Sequence, residues 1–447
     1  MLTVDSIVSK YSFEKQSDTF CSLPDIYLRL HGFNCYYLLV LKDCQSTYDS
    51  IQCISQFTNK ILSEYGLYDV YGIDKQELIN RNNLLAKTSN DIISYYRGMK
   101  EIIASLNSCH MRLSTNSNDD IESPLQPVYF YKINNEIAVS AIFDPTLENK
   151  IQLGDILLSI NNIPLSQLYN DFSINVFAST LQQREIKITQ KLLFMAKEIW
   201  GDSLLLEFQN GNNSYSVCLD ESNFSGKKRV PEGFKMVSDN VIEKYNNSIY
   251  FKPIFQATRL IPFIYSHKED FDNCEGLVLD LRGCSGGDHT FSTLFSLLIS
   301  ENSLIVYLDS TIFSTPSNLI VKPSKQINIQ VPVVVLIDAR TTCYSEILIN
   351  ALRKNRSDIY VMGASNSAGS AQMGLLTILP KNAQLAHFEG ISKDAYGHVV
   401  DDNNGIVPNT LINISFYTDL FPYNDKIKRY ALQYLGYPIK NNDESQF

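Results

Sequence analysis

The chain has 447 residues, 44% of them hydrophobic, and a formal charge of −10. That length fits two to four domains at roughly 100–200 residues each, with cores large enough to need no metal or disulfide staples. The acidic balance argues against a phosphate-backbone partner, and so against nucleic acid. Nine cysteines without regular close spacing read as reduced thiols, most of them small core residues. Met1 to Ser6 carry no basic stretch and no apolar run follows, so the expectation is a cytoplasmic protein without a secretory signal. The most apolar early run, Tyr36 to Leu41, is too short to span a bilayer.

Residues 1–112 read as a mostly helical N-terminal region. Ile51, Ile54, Phe57, Ile61 and Leu62 recur at helical spacing, as do Ile92, Ile93, Tyr96 and Met99. The polar run Ser114 to Asp120 reads as a linker. Residues 126–225 then predict short strands. At their centre, Leu153-Gly154-Asp155-Ile156-Leu157-Leu158-Ser159-Ile160-Asn161-Asn162 resembles the PDZ signature, a Gly-Asp turn before a strand and a tight hairpin after it. Asn162 stands where that family prefers Gly, and Asn tolerates φ > 0, so the turn survives. A PDZ-like domain implies a groove that captures a peptide by strand addition. The same segment serves equally as a spacer that positions its neighbour.

Residues 240–435 alternate apolar runs with candidate helices. Ile249 to Ile254, Leu277 to Leu281, Leu304 to Leu308, Val333 to Ile337 and Ile359 to Met362 have strand length; Thr290 to Ser300 and Ser345 to Lys354 have helical character. The pattern predicts an α/β domain around a largely parallel, buried sheet.

Two segments of this domain carry the chemistry. One is Gly276-Leu277-Val278-Leu279-Asp280-Leu281-Arg282-Gly283-Cys284-Ser285-Gly286-Gly287, a strand ending in a glycine-rich turn. The other is Val331 to Ile337 followed by Thr341-Thr342-Cys343-Tyr344-Ser345-Glu346, a strand leading to a Cys and a Ser at a helix start. A glycine turn can present N–H groups to an anion, and a thiol at a helix N-terminus faces the positive end of the dipole, which favours thiolate. Together they suit acyl transfer.

These segments resemble peptidase family S41, the C-terminal processing (tail-specific) and tricorn-like proteases, in which a strand ends Asp-Leu-Arg-Gly-Asn-Gly-Gly-Gly. The resemblance covers about residues 90–415 and implies an α/β and β multidomain fold with a ClpP/crotonase-like catalytic core. In that family the nucleophile lies three residues before an acidic residue that opens a helix. Glu346 is that residue, so the position falls on Cys343, where most members carry Ser. The protein would then be a thiol protease; Ser345 is the nearest alternative hydroxyl. No Lys lies between Lys354 and Lys381, which removes the Ser/Lys dyad of one branch. Gly363 to Ala371 instead resembles the Thr-Ala-Gly-Ser turn of the branch that uses His and an acid. That branch places its His before the PDZ domain, which selects His110 within Leu106-Asn107-Ser108-Cys109-His110-Met111, with His289 beside the glycine turn as the rival. The acid precedes a Gly-Ile-x-Pro strand start, which selects Asp402, with Asp401 adjacent.

The resemblance implies that Asp402 orients His110, that His110 takes the Cys343 proton, and that Tyr344 with Gly286 or Gly287 forms the oxyanion hole. Asp280 and Arg282 would brace the loop. Cys284 replaces the family's usual Asn, and a thiol cannot reproduce an amide's hydrogen bonds. The substrate would be an extended or C-terminal segment of a peptide or protein. No cofactor is implied, and a homo-oligomer is left open. The spacing of Cys274, Cys284 and His289 matches no paired-ligand zinc pattern, so no metal is expected. Two other readings stand beside the peptidase: a catalytically inactive peptide-binding pseudoenzyme, and an acyl or peptidyl transferase in which an amine intercepts the thioester.

Overall fold

The computed structural model describes residues 46–115, 126–286 except 134 and 226–238, 290–309, and 317–437 except 373, 389–390, 400–403, 416–418 and 420–423; before residue 46 it describes short strands between Phe13 and Val40. The chain is an α/β protein with helices and several sheets, one of them mixed and mostly parallel.

The mostly parallel sheet runs Val241–Tyr245, Ser248–Lys252, Gly276–Asp280, Val333–Ile337, Ile359–Gly363, Thr410–Leu411 in spatial order. Only its first pair is antiparallel. Strand periodicity sorts its side chains. Val333, Val335 and Ile337 join one core with Phe291, Leu294, Ile347 and Leu348, while Val334 and Leu336 face another with Ile427, Ala431 and Leu432. Both faces are therefore covered by helices, which is why these strands read as unbroken apolar runs. Leu304 to Leu308 was expected in the same sheet. It lies within strand Ser303–Asp309, which instead pairs antiparallel with Ser317–Val321 and Ile391–Asp394 in a separate sheet. An apolar run specifies a buried strand but not its partner.

Residues 128–219 hold a five-strand antiparallel path. Asn161 and Asn162 have φ of 52° and 62° in the two-residue hairpin joining Ile160 to Ile163. Positive φ at both positions is the type I′ geometry whose twist matches the flanking strands. The expectation of strands alone needs correcting, because Leu181–Trp200 is a 20-residue helix packed on this sheet through Ile188, Leu192, Leu193 and Ala196.

Helices Thr47–Glu64, Lys75–Thr88 and Ile92–Ala104 share a core built on Ile51, Ile54, Leu62, Tyr96 and Met99, as the spacing predicts; Ile93 faces solvent. Residues 1–112 are not helical throughout. Phe13–Gln16, Ile26–Leu30 and Tyr37–Val40 are strands joined to Gly374–Ile378, Gln384–Phe388 and Arg112–Ser114. Runs of four or five residues are too short to sustain a helix, and Ile26–Leu30 and Tyr37–Val40, rich in Tyr, Ile, Leu and Val, suit a pleated surface. This sheet ties the N-terminal region to the C-terminal half.

Candidate active site

The strand Val333–Ile337 is buried along its whole length and ends in a turn that leads to helix Tyr344–Asn355. Ile347, Leu348, Ala351 and Leu352 bury one face of this helix, Glu346 lies in its first turn, and Arg353 and Lys354 complement the dipole in its last. Cys343 is the N-cap, with φ 59° and ψ −129°. A non-glycine residue held there costs roughly 1–3 kcal/mol. The surrounding bonds enforce it: Cys343 N–H donates to Ser370 O at 2.7 Å, and Glu346 N–H donates to Cys343 O at 2.9 Å.

The glycine turn is clamped to this elbow. Asp338 accepts from Gly283 N at 3.0 Å, Thr341 Oγ1 donates to Leu281 O at 2.9 Å, and Thr342 N donates to Cys284 O at 3.0 Å. Gly286 closes the contact. A side chain there would place its Cβ 2.7 Å from Cys343 Cβ and 3.1 Å from Cys343 Sγ, and 3.0 Å from Tyr344 N; its φ of 83° also favours glycine. The Gly286 N–H approaches the Cys284 sulfur, whose pKa burial raises. Tyr344 is fixed by stacking on Phe291, with centroids 4.3 Å apart. Ser345 is fully buried, and its hydroxyl donates to Cys284 O at 3.3 Å.

His110 follows helix Ile92–Ala104 and precedes strand Arg112–Ser114, whose pairing with Gln384–Phe388 brings the turn to the C-terminal half. The ring reaches the elbow. Its Nδ1 lies 2.8 Å from Ser370 Oγ and 3.6 Å from Cys109 Sγ, and the ring is near enough to Cys343 for that sulfur to act on its charge. Burial opposes charge on this ring, yet the facing Cys109 and Cys343 sulfurs hold its pKa well above the usual imidazole value. Burial likewise opposes a thiolate at Cys109, but His110 draws that thiol well below the ordinary range. The sulfur of Cys109 also meets Thr342 Oγ1 at 3.6 Å.

Of the residues selected from sequence, the structure brings Cys343, His110, Tyr344 and Gly286 together. Gly287, His289, Asp401 and Asp402 lie outside the described residues. Three neighbours were not foreseen in this role. Cys109 and Ser370 touch the ring directly. Glu346, treated only as a landmark, is a buried carboxyl that accepts from Gly369 N at 2.7 Å, Ser370 N at 2.9 Å and the Ser367 hydroxyl. Burial pushes its pKa up to about 8 against those bonds. The Gly369-Ser370 turn was the available signal, since it was already aligned with the region that follows the nucleophile.

Asp280 and Arg282 brace the loop from beneath. Arg282 Nε donates to Asp280 Oδ1 at 2.9 Å, its Nη1 donates to Asp425 Oδ1 at 2.8 Å, and Tyr250 Oη donates to Asp280 Oδ2 at 2.6 Å. Burial opposes a charge on Asp280, but Arg282 and Lys252 hold its carboxyl well below the usual range. Among the described residues, no three His, Cys, Asp or Glu side chains form a metal-binding group, and no helix is long and apolar enough to cross a membrane.

No curated protein matches the chain in sequence. Among solved structures, mature CPAF complexed with lactacystin is similar over 87% of this chain and 99% of that one, at 13% identity and a TM-score of 0.65. A putative peptidase from Parabacteroides merdae is similar over 88% and 97% of the two chains, at 15% identity and a TM-score of 0.52. Identities this low speak to the fold alone. Residues 259–410, which contain both the glycine turn and the elbow, match the model of peptidase family S41.

Proposed function

We propose that this protein is a thiol peptidase that cleaves extended or C-terminal polypeptide segments, with Cys343 as nucleophile and His110 as general base. The observation that carries the reading is the strained Cys343 elbow, packed against Gly286 with the His110 ring alongside. His110 takes the thiol proton, and the sulfur attacks the scissile carbonyl. The tetrahedral oxyanion is met by the Tyr344 N–H and the glycine turn. Collapse expels the amine, which receives the proton from His110, and leaves a thioester on Cys343. Water, deprotonated by the same imidazole, releases the acid. Asp402 stands in the family's acid position and completes the triad.

Residues 126–225 are proposed as a PDZ-like module beside the ClpP/crotonase-like core of residues 240–435, with residues 1–112 supplying the His. The hairpin at Asn161-Asn162 and the antiparallel path support that division.

Mass analysis of peptide digests, paired with iodoacetamide labelling mapped residue by residue, tests the reading. The expected result is hydrolysis and faster labelling of Cys343 than of the other thiols. Cys343→Ala should abolish turnover while peptide binding persists. Turnover unchanged in that variant removes Cys343 from the chemistry, binding without any turnover favours the pseudoenzyme, and aminolysis products favour the transferase.

A further inference from the structure

The main chain and side chain of Ser370 point three ways. Its carbonyl accepts from Cys343 N at 2.7 Å and from Thr342 Oγ1 at 2.9 Å. Its N–H donates to Glu346 Oε2 at 2.9 Å. Its hydroxyl lies 2.8 Å from His110 Nδ1. One fully buried residue therefore touches the backbone of the proposed nucleophile, the ring of the proposed base, and the carboxyl that opens the nucleophile's own helix. Glu346 also holds Gly369 N at 2.7 Å, so the backbone on both sides of the Gly369–Ser370 peptide is fixed by one carboxyl.

We propose that Ser370 is a positioning residue that sets the separation and tautomer of the Cys343–His110 pair, with Glu346 as the anchor that holds Ser370 in place. The proposal rests on the assignment of Cys343 and His110 made above. An imidazole in a thiol peptidase must keep one nitrogen bare toward the sulfur, and which nitrogen is bare is decided by the bond made at the other. With Ser370 Oγ accepting from Nδ1–H, that proton stays on Nδ1 throughout, and Nε2 is the nitrogen that takes up and returns the other. Because the same residue's carbonyl holds the Cys343 N–H, ring and sulfur are referred to one short rigid unit. A displacement of either is then resisted by the other. Cys109 Sγ, at 3.6 Å, faces the same Nδ1–H, so it shares that donor with the 2.8 Å hydroxyl and favours the same tautomer.

The test uses the full chain with Ser370→Ala, which removes the hydroxyl and leaves every backbone bond, and Ser370→Thr, which restores a hydroxyl. Three readouts are taken: kcat and KM on a cleaved peptide, the pH profile of iodoacetamide alkylation at Cys343, and the His110 tautomer by ¹⁵N-histidine NMR. For Ser370→Ala the expected result is a fall in kcat of about 30–100-fold with KM within about twofold. The alkylation profile should shift, and Nδ1–H should cease to dominate the ring. Ser370→Thr should recover most of kcat. A folded Ser370→Ala variant whose tautomer and alkylation profile match the parent overturns the proposal, even if its activity is reduced. An overall loss of folding in Ser370→Ala, seen by circular dichroism, passes the decision to Ser370→Thr, where a parent-like tautomer supports the role and an altered one with normal kcat refutes it. Slow alkylation of Cys343 in the parent itself counts against the peptidase assignment instead, so the two failures are told apart.

Discussion

At the scale of single residues, Gly286 decides whether the site can close. Any side chain there meets Cys343 Cβ at 2.7 Å, and the elbow, tied at both its N–H and its carbonyl, cannot retreat. Gly286→Ala is therefore expected to lower kcat/KM by about 100-fold, the scale set by displacing a reacting atom about 1 Å. Parallel measurement of Cys343 alkylation should show the same direction; parent-like values of both would show that the turn gives way without consequence. Residue by residue, the site was only partly legible. Cys343 is selected by a local pattern, its spacing to Glu346, and His110 by the place of a lone imidazole in the order of segments. Ser370 and Glu346 could not be assigned their contacts, because a hydrogen bond between residues 260 positions apart leaves no periodic trace in the chain. Cys109 was hidden for another reason: its meaning comes from the ring beside it and from burial, and neither is a property of sequence order.

At the scale of elements, helix Leu181–Trp200 links the antiparallel region to the active-site turns. Gln182 Nε2 donates to Ser367 O and to Asn404 O, each at 2.9 Å. Arg184 Nη2 donates to Asn107 Oδ1 at 2.7 Å, and Cys109 N donates to Ser179 Oγ, just before the helix, at 3.0 Å. The first turn of this helix thus touches both the His110 turn and the loop that leads to Ser370. Gln182→Ala removes one bond to the exposed Asn404 carbonyl, which water can replace, and one to the buried Ser367 carbonyl, which it cannot readily reach, so it should cost about 1 kcal/mol of stability or somewhat more. A loss of that size, if felt at the reacting geometry, corresponds to about a fivefold drop in kcat/KM. Urea denaturation beside peptide kinetics checks the pairing; a stability change with kinetics untouched would detach the helix from the site. The helix escaped sequence reading because Ile186-Lys187-Ile188-Thr189 alternates β-branched apolar with polar residues, the signature of a half-buried strand. Its apolar face emerges only when Leu192, Leu193 and Ala196 are added, and tertiary packing then overrides local propensity. The strands Val333–Ile337 and Gly276–Asp280 were legible because burial on both faces makes composition alone sufficient.

At the scale of the whole molecule, the Asp280–Arg282–Asp425 group joins the glycine turn to the N-cap of helix Lys426–Tyr434. All three side chains are largely buried, so removing the cation leaves carboxylates uncompensated in a poorly solvating interior. Arg282→Met is expected to destabilise the fold by about 3–5 kcal/mol. The pH dependence carries a sign. In the parent, Asp280 is held below its unfolded value, so its contribution is complete above about pH 4 and fades as the solution is acidified further. Without Arg282, burial is opposed on that carboxyl only by Lys252 and the Tyr250 hydroxyl, so its pKa rises and the variant should gain stability relative to the parent as pH is lowered from 7 to 5. Denaturation midpoints across that range check this; a constant difference between the two proteins would place the effect in packing rather than charge.

The pairing of Arg112–Ser114 with Gln384–Phe388 has a consequence for biosynthesis. The imidazole-bearing turn leaves the ribosome well before the edge it docks on. A nascent chain therefore carries its His110 turn without an edge to dock on, and the contact of His110 with Ser370 forms only after residues 370–388 have emerged.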